Sequence, residues 1–302
     1  MSLSAQIMRL ALRYFVKRNL SPAPEVDALR AQMAKLLYFI PPPARGTQTT
    51  PVDAGGLKAL YVATPRSLDG RHVLYLHGGG YVMCSPEHYG DFLWRIARVT
   101  SAQVLCPYYR LAPEHPFPAA VDDAVRAYSW LLTNGVAPRC IAIIGDSAGG
   151  GLALATLLRL RDDGLPLPAA AAALSPWTDL ALTGDSVRTN AELDLTLTPE
   201  RAACFARHYL AGADPCHPYA SPLYGKAHGL PPILIQVGGD EILRDDAIRM
   251  AEKLRAAGSP VEIEICHRMH HVWQLYARVL PEGRAAITRI GAFVERELAR
   301  AS

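Results

Sequence analysis

One stretch of the sequence strongly limits how the chain can fold. An apolar run, residues 141–144, leads into Gly-Asp-Ser-Ala-Gly with Ser147 at its centre, and a second apolar segment, residues 152–160, follows. The first run predicts a buried strand and the second a helix, so Ser147 should lie on the sharp turn between them. Such a turn needs small neighbours, which Gly145 and Gly149 provide. Because a chain with 23 glycines could contain this pattern by chance, the other segments must support it.

Strands and helices are predicted to alternate along most of the 302 residues, as parallel βαβ units do. Apolar runs predict strands near 57–63, 71–76, 102–107, 140–144, 169–174, 233–237 and 261–265. Helical spacing predicts helices from 85 onward and over 119–132, 247–257 and 285–299. We therefore expect an α/β fold with a mostly parallel central sheet flanked by helices.

The alternation stops between residues 177 and 230, where the only clear element is a helix that starts at Thr198-Pro199-Glu200. An insertion of this size is usually a lid or cap, and the alternative is a surface embellishment. We predict four units. They are N-terminal helices (1–45) that contribute to a helical cap, a first core part (46–176), the cap insertion (177–230) and a second core part (231–302).

The N-terminal segment combines basic residues with an apolar stripe. The stripe has helical spacing and comprises Ile7, Leu10, Ala11, Tyr14 and Phe15. No uncharged run is long enough for a secretory signal or a membrane span, so we expect no stable membrane insertion. We interpret the segment as an amphipathic helix whose stripe faces the protein's own core, with a membrane-surface role as the alternative.

Composition excludes several classes of partner. The net charge is +3, from 31 basic and 28 acidic residues, and no basic block alternates with aromatic residues, so neither nucleic acid nor an anionic membrane is expected as a partner. Six cysteines are scattered, without the short spacing of a zinc site or a redox motif. They are interpreted as reduced core residues, which favours a cytoplasmic location.

A serine nucleophile needs a histidine base and an acid that orients it. The candidate bases His267, His270 and His271 follow the strand that ends at residue 265, at the carboxyl edge of the sheet. A metal site on these histidines is disfavoured because further ligands are missing.

The acid should follow the strand 233–237, where the chain offers Asp240 and Glu241 and, later, Asp245 and Asp246. The order serine, acid, histidine is that of the α/β-hydrolase triad. Asp245 and Asp246 are interpreted as helix-start residues. Neighbouring side chains in an extended loop point in opposite directions, so only one of Asp240 and Glu241 can serve.

His77-Gly78-Gly79-Gly80 follows a strand and precedes a helix. In this position glycine N–H groups can approach a substrate oxygen and stabilise an oxyanion. Phosphate binding is the alternative, but no Gly-Lys-Ser/Thr and no dinucleotide fingerprint accompanies the loop.

Four segments in one order resemble the bacterial hormone-sensitive-lipase-like (family IV) carboxylesterases, a branch of the α/β-hydrolases that carries a cap. They are His77-Gly78-Gly79-Gly80, residues 109–119 (Tyr-Arg-Leu-Ala-Pro-Glu-His-Pro-Phe-Pro-Ala), residues 145–150 around Ser147, and the late acid and histidine loops. The resemblance covers nearly the whole chain, and the second segment is its most specific part.

The resemblance implies an α/β-hydrolase fold and hydrolysis of short-chain carboxylic esters through an acyl-enzyme, without a cofactor or metal. By position, Ser147 resembles the nucleophile and His271 the general base. The N–H groups of Gly79, Gly80 and Ala148 resemble the oxyanion hole. His77 and Glu114 would be structural supports, and Asp146 would be a structural residue of the turn.

The acid departs from the family's Asp-Pro-Leu-Arg-Asp stretch. Glu241-Ile-Leu-Arg-Asp245 aligns with that stretch without a gap, whereas a start at Asp240 requires an inserted residue. We therefore predict Glu241 as the triad acid, with Asp240 as the alternative.

Other functions and an assembly state remain open at this level. The same triad could hydrolyse amides, lactones or acetylated xenobiotics, and a ligand-binding protein of this fold that has lost catalysis is a third possibility. The last strand and the final helix could pair two copies at a sheet edge, so a homodimer is a further hypothesis.

Overall fold

The computed structural model describes residues 1–301 and, for Phe39, the backbone alone. Within residues 1–301 the chain forms one eight-stranded sheet with α-helices packed around it. The strands are β1 (Gln48–Asp53), β2 (Lys58–Ala63), β3 (His72–Leu76), β4 (Gln103–Pro107), β5 (Ile141–Asp146), β6 (Ala170–Leu174), β7 (Ile233–Gly238) and β8 (Val261–Cys266). The helices are α1 (Leu3–Ala11), α2 (Val26–Leu36), α3 (Gly90–Thr100), α4 (Ala119–Thr133), α5 (Ala148–Asp162), α6 (Asp185–Thr189), α7 (Pro199–Leu210), α8 (Arg244–Ala256) and α9 (Pro281–Ala301).

The strand order is β1-β2-β4-β3-β5-β6-β7-β8. The pairs β1/β2 and β2/β4 are antiparallel, and every other neighbouring pair is parallel. The predicted α/β fold with a mostly parallel sheet is therefore confirmed. Strand β1 was not predicted, because this edge strand is largely exposed and contains Pro51, so its residues lack the apolar pattern of a strand.

Helices cover both faces of the sheet. On one face α3 and α9 pack against alternate strand residues such as Tyr75 and Ile144. On the other face α4, α5 and α8 pack against the intervening residues, such as Leu74 and Ile143. Residues on β3, β5 and β6 are buried throughout, which explains why these strands are continuous apolar runs.

The N-terminal segment corrects one expectation. Helix α1 continues through a π-helical turn, Leu12–Val16, and a 3₁₀ turn, Lys17–Asn19. The side chains of Ala5 and Leu12 are its buried contacts with the rest of the chain. The apolar stripe that was expected to face the core is instead mostly exposed, with Ile7 and Leu10 each 58 % accessible. The prediction of a core-facing stripe is wrong, because periodicity identifies an apolar face but not what the face contacts.

The insertion between β6 and β7 contains α6 and α7, and Thr198 caps α7 by accepting a hydrogen bond from the N–H of Arg201. Asp246 in the first turn of α8 does more than start that helix. Its buried carboxylate accepts hydrogen bonds from the N–H groups of Thr178 and Asp179, at 2.8 and 2.9 Å, and so fixes the first residues of the insertion. The division of the chain into core and cap units stays a prediction.

Two further features concern the helices and the cysteines. None of the helices in residues 1–301 has an apolar stretch long enough to cross a bilayer. The thiols of all six cysteines are free, and they differ in burial, since Cys106 and Cys204 are buried whereas Cys216 is exposed.

The contact between α3 and α9 allows a test of the packing. A Cβ atom at Gly291 of α9 would collide with the backbone carbonyl of Val99 in α3, so Gly291→Ala should push the two helices apart. We expect a loss of about 1–3 kcal/mol in the free energy of unfolding, measured by urea denaturation. The matched control is Gly90→Ala in α3, where an added Cβ would meet no atom within 4 Å and the free energy should stay equal or rise. Equal free energies for the two variants would contradict this account of the interface.

Candidate active site

Three side chains from three loops form a continuous hydrogen-bonded chain. Ser147 follows β5, Glu241 follows β7 and His271 follows β8. Nε2 of His271 lies 2.8 Å from Oγ of Ser147, and Nδ1 of His271 lies 2.7 Å from Oε2 of Glu241. With the ring proton on Nδ1, the imidazole donates to the carboxylate and accepts from the serine hydroxyl, which is the arrangement that activates a serine.

Burial and charge oppose each other at this site. Burial lowers the pKa of His271, but the charge of Glu241 and its hydrogen bond outweigh burial, and the net pKa lies above the ordinary 6.5. Burial likewise raises the pKa of Glu241 above its usual value, although the contacts with His271 partly offset this effect. The Glu241 side chain is completely inaccessible to solvent, so its charge acts on His271 without screening by water.

The backbone at Ser147 is strained. Its φ of 54° and ψ of −122° lie outside the regions that L-residues usually occupy. The Ser147 N–H donates to the carbonyl of Leu174, and the Ser147 carbonyl accepts from the N–H of Trp177 and of Gly151. These bonds join the turn to the end of β6 and the start of α5, and they project the hydroxyl above the sheet.

Ser175 is a further residue of the site, and it was not predicted from the sequence. It follows β6 with a φ of 46°, and its Oγ donates to Oε1 of Glu241 at 2.7 Å. Oγ of Ser175 also accepts a hydrogen bond from the N–H of Val272 at 3.1 Å, so Ser175 holds both Glu241 and the residue after His271. The N–H of Gly238 also donates to Oε1 of Glu241, at 2.5 Å. The sequence carries no pattern that marks Ser175 as a site residue, since it simply follows the alanine-rich strand β6.

Two glycines of the loop after β3 lie too close to neighbouring atoms to carry a side chain. Gly79 has a φ of 115°, and a side chain there would collide with the Met83 carbonyl. A Cβ at Gly80 would lie 2.5 Å from the ring of Phe205 in α7. Glycine is required at both positions, in the first case because of the backbone conformation and in the second because of the aromatic ring.

Asp146 anchors this loop to the serine turn from below. Its Oδ1 accepts from the hydroxyl of Tyr75 and from the N–H of Gly78, at 2.6 and 2.9 Å, and its Oδ2 accepts from the hydroxyl of Tyr89 at 2.9 Å. Burial raises the pKa of Asp146 to about 6, against the opposing effect of these hydrogen bonds. Asp146 has no contact with His271 in this network, which agrees with its interpretation as a structural residue.

His77 and Glu114 support the glycine loop from two sides. The His77 ring stacks on Tyr109 with a centroid distance of 4.3 Å, and its Nδ1 lies 2.7 Å from the Gly78 carbonyl. Burial lowers the pKa of His77 to about 4, so the ring is neutral at pH 7. Glu114 pairs with Arg30 of α2, whose guanidinium also donates to the Val82 carbonyl just beyond the loop.

The remaining candidates lie elsewhere. Asp240 forms an ion pair with Arg9 of α1 rather than contacting His271. His267 is exposed, whereas His270 is buried against Tyr276, and burial lowers the pKa of His270 to about 4. Among residues 1–301 no group of three or more His, Cys, Asp or Glu side chains is arranged to hold a metal ion.

Comparison with protein families matches residues 73–275 to the family described as alpha/beta hydrolase fold. Two curated relatives are an acetyl-hydrolase of Streptomyces hygroscopicus and an esterase of Acinetobacter venetianus. The first is 49% identical over 230 residues, which are 76% of this chain and 77% of the relative. The second is 33% identical over 288 residues, which are 95% and 93% of the two chains.

Solved structures agree with these relatives. An esterase from the bacterial hormone-sensitive lipase family superposes with a TM-score of 0.93 and 43% identity, covering 99% of both chains. The esterase EstE5, whose crystal was soaked with p-nitrophenyl butyrate, has a TM-score of 0.94 and 43% identity, covering 99% of this chain and 100% of its own. The chain therefore belongs to the α/β-hydrolase fold family and, within it, to the bacterial hormone-sensitive-lipase-like esterases, and it is a carboxylic ester hydrolase.

Proposed function

We propose that Ser147 attacks the ester carbonyl, with His271 as general base and Glu241 as the acid that orients His271. The observation that carries this proposal is the pair of contacts at 2.8 and 2.7 Å that joins the three side chains. His271 removes the hydroxyl proton as the Ser147 oxygen bonds to the carbonyl carbon, and it then gives that proton to the leaving alcohol. Water, deprotonated in turn by His271, hydrolyses the acyl-enzyme and regenerates the serine.

The proposed oxyanion hole consists of the N–H groups of Gly79, Gly80 and Ala148. None of the three donates a hydrogen bond to an acceptor in residues 1–301, so all remain available to a substrate oxygen. Ala148 is the first residue of α5, where the helix dipole adds positive potential. Loss of a single such donor typically lowers the rate about 100- to 1000-fold, so these three N–H groups would supply a large part of the rate enhancement.

The proposed substrates are esters with short acyl groups. The acetyl-hydrolase name of one relative and the p-nitrophenyl butyrate used with EstE5 favour small acyl chains. Phe205 of α7 presses on Gly80, and Tyr209 stacks on Tyr81 at 3.7 Å, so aromatic residues of the insertion limit the space beside the glycine loop. These contacts support residues 177–230 as a cap over the site, together with the N-terminal helices (1–45).

Replacement of the proposed nucleophile gives a direct test. Purified wild-type protein should hydrolyse p-nitrophenyl acetate, butyrate and hexanoate, and Ser147→Ala should lower kcat on the order of a million-fold. A fluorophosphonate probe should label the wild type but not this variant. Ser175→Ala is the matched serine control. It should still be labelled, with kcat reduced only about 10- to 100-fold, because it weakens a support of Glu241 and leaves the nucleophile in place.

The assignment is wrong if Ser147→Ala retains turnover or labelling. Absence of wild-type turnover on all three esters, with labelling of Ser147 intact, would instead point to amides, lactones or other acylated substrates. Matched ester and anilide substrates would then separate these classes.

The pH profile tests the acid. Catalysis requires neutral His271, so kcat/KM should fall as the pH drops through the raised pKa of His271, above 6.5. In Glu241→Gln the charge that raises the pKa is lost while burial remains, so the acid limb should move to lower pH and kcat should fall on the order of 1000- to 10,000-fold. Asp240→Asn is the matched control and should change kcat by less than about fivefold, since Asp240 pairs with Arg9 and forms no hydrogen bond with His271. The reverse ranking of the two variants would identify Asp240 as the acid.

We also infer a homodimer formed through β8, with the protein residing in a reducing cytoplasm. One edge of β8 has no partner strand among the described residues, and Ile265 on it is 48% exposed. Six free cysteines support the reducing location. Sedimentation should give about twice the chain mass of 32.8 kDa, and Ile265→Lys should reduce it to the monomer value by placing like charges at the shared edge. A monomer mass for the wild type would refute the dimer.

A further inference from the structure

We propose that the outward face of α1 docks the protein on an anionic lipid surface. Four large apolar side chains, spaced by four, three and four residues, form this face and are at least half exposed. They are Leu3 at 72%, Ile7 at 58%, Leu10 at 58% and Tyr14 at 51%. Residues so spaced lie on one side of a helix. Tyr14 lies in the π-helical turn that continues α1, as does Phe15, which is 77% exposed.

The opposite side of α1 already has its partner. Ala5 and Leu12 are buried, and Ala5 packs in a small cluster with Met269, Trp273 and Leu280 of the body. The helix is therefore attached through the side that carries Ala5 and Leu12, and its larger apolar side chains face solvent. An amphipathic helix normally gains its stability by burying the apolar face, so a face left open in this way indicates an external apolar phase.

The charges beside the outward face of α1 indicate what binds to it. The first 24 residues contain the basic residues Arg9, Arg13, Lys17 and Arg18 and no acidic residue. Arg13 and Arg18 are exposed beside the apolar face, and the Arg18 guanidinium lies 4.8 Å from the centre of the Tyr14 ring. Apolar side chains bordered by arginines are complementary to a bilayer with anionic headgroups. A second copy of the same face would bring like charges together, so lipid is the better match.

The same segment is fixed to the loops of the active site. Arg9 forms an ion pair with Asp240, which directly precedes the proposed acid Glu241. It also donates a hydrogen bond to the carbonyl of Arg268 at 2.9 Å, three residues before the proposed base His271. Nζ of Lys17 donates to the carbonyls of Ala191 and Asp194, at 2.5 and 2.8 Å. A surface bound by α1 is thus held beside the loops that carry Glu241 and His271. The consequence, that esters partitioned into the lipid surface are the favoured substrates, rests on the proposed function, whereas binding itself does not.

The test is co-sedimentation with vesicles of phosphatidylglycerol and phosphatidylcholine in equal parts, compared with phosphatidylcholine alone, at low and high salt. Wild-type protein should bind the anionic vesicles, bind the neutral ones much less, and be released by salt. Ile7→Gln with Leu10→Gln removes apolar contacts and should weaken partitioning on the order of 100-fold. Arg13→Glu with Arg18→Glu should weaken it about 25-fold or more, since each basic residue near an anionic surface contributes about fivefold.

The matched control is Leu68→Gln with Arg139→Glu, a similar change at exposed positions far from α1 in sequence, and it should bind like the wild type. The three double variants should keep wild-type hydrolysis of dissolved p-nitrophenyl butyrate, which shows that they fold. Ser147→Ala should bind vesicles as the wild type does, so failure of catalysis and failure of docking are separable. Absence of vesicle binding, or equal loss in the control, overturns the proposal. A loss of dimer mass in Ile7→Gln/Leu10→Gln without vesicle binding would assign the face to a second copy instead.

Discussion

The site depends on a strained backbone turn at Ser147, which the surrounding fold must hold in place. An unusual conformation of this kind costs about 1–3 kcal/mol and persists only where neighbouring structure over-determines it. Here the turn lies between two completely buried elements, β5 and the first turns of α5. Gly149 lets the helix approach β3 so closely that a Cβ there would collide with the Leu76 carbonyl. The buried core therefore supplies the free energy that holds the hydroxyl within hydrogen-bonding distance of His271 at the edge of the sheet.

Once this turn is fixed, the sheet order arranges the other residues. Five neighbouring strands, β3, β5, β6, β7 and β8, run parallel and end at one edge. In that order their following loops carry Gly79 and Gly80, then Ser147, Ser175, Glu241 and His271. The glycine loop lies on one side of the serine and the supports of the base on the other. The oxygen of an ester carbonyl placed above Ser147 would then face the N–H groups of the glycine loop, and the leaving group would face the imidazole of His271.

Local patterns sufficed to predict much of this. The parallel strands were predictable because strands buried on both faces must be apolar runs, and Ser147 because its turn demands glycines at fixed positions. Separating Glu241 from Asp240 needed a family resemblance, since both follow the same strand, and only three dimensions reveal that Arg9 engages Asp240. Ser175 escaped because a hydroxyl after an alanine strand carries no pattern, and the direction of its side chain depends on a left-handed backbone residue. Which face of α1 contacts the rest of the chain could not be predicted either, because periodicity identifies an apolar face but not the surface that it contacts.

Electrostatics explains how α1 can attach with its apolar face outward. Arg9 meets the carboxylate of Asp240 and the carbonyl of Arg268 in the active-site loops, and Lys17 meets two backbone carbonyls of the insertion between β6 and β7, so the helix is held largely by polar contacts. These contacts leave Ile7 and Leu10 each 58% exposed, so each side chain forgoes part of the about 1.5–3 kcal/mol that its full burial would provide. That unrealised free energy is available to whatever apolar phase covers the face. Because Arg9 binds Asp240 and Arg268, which lie in the loops of Glu241 and His271, a surface that covers α1 also lies near those loops. The basic residues of this segment thus connect recognition of a surface with the positions of the proposed catalytic loops.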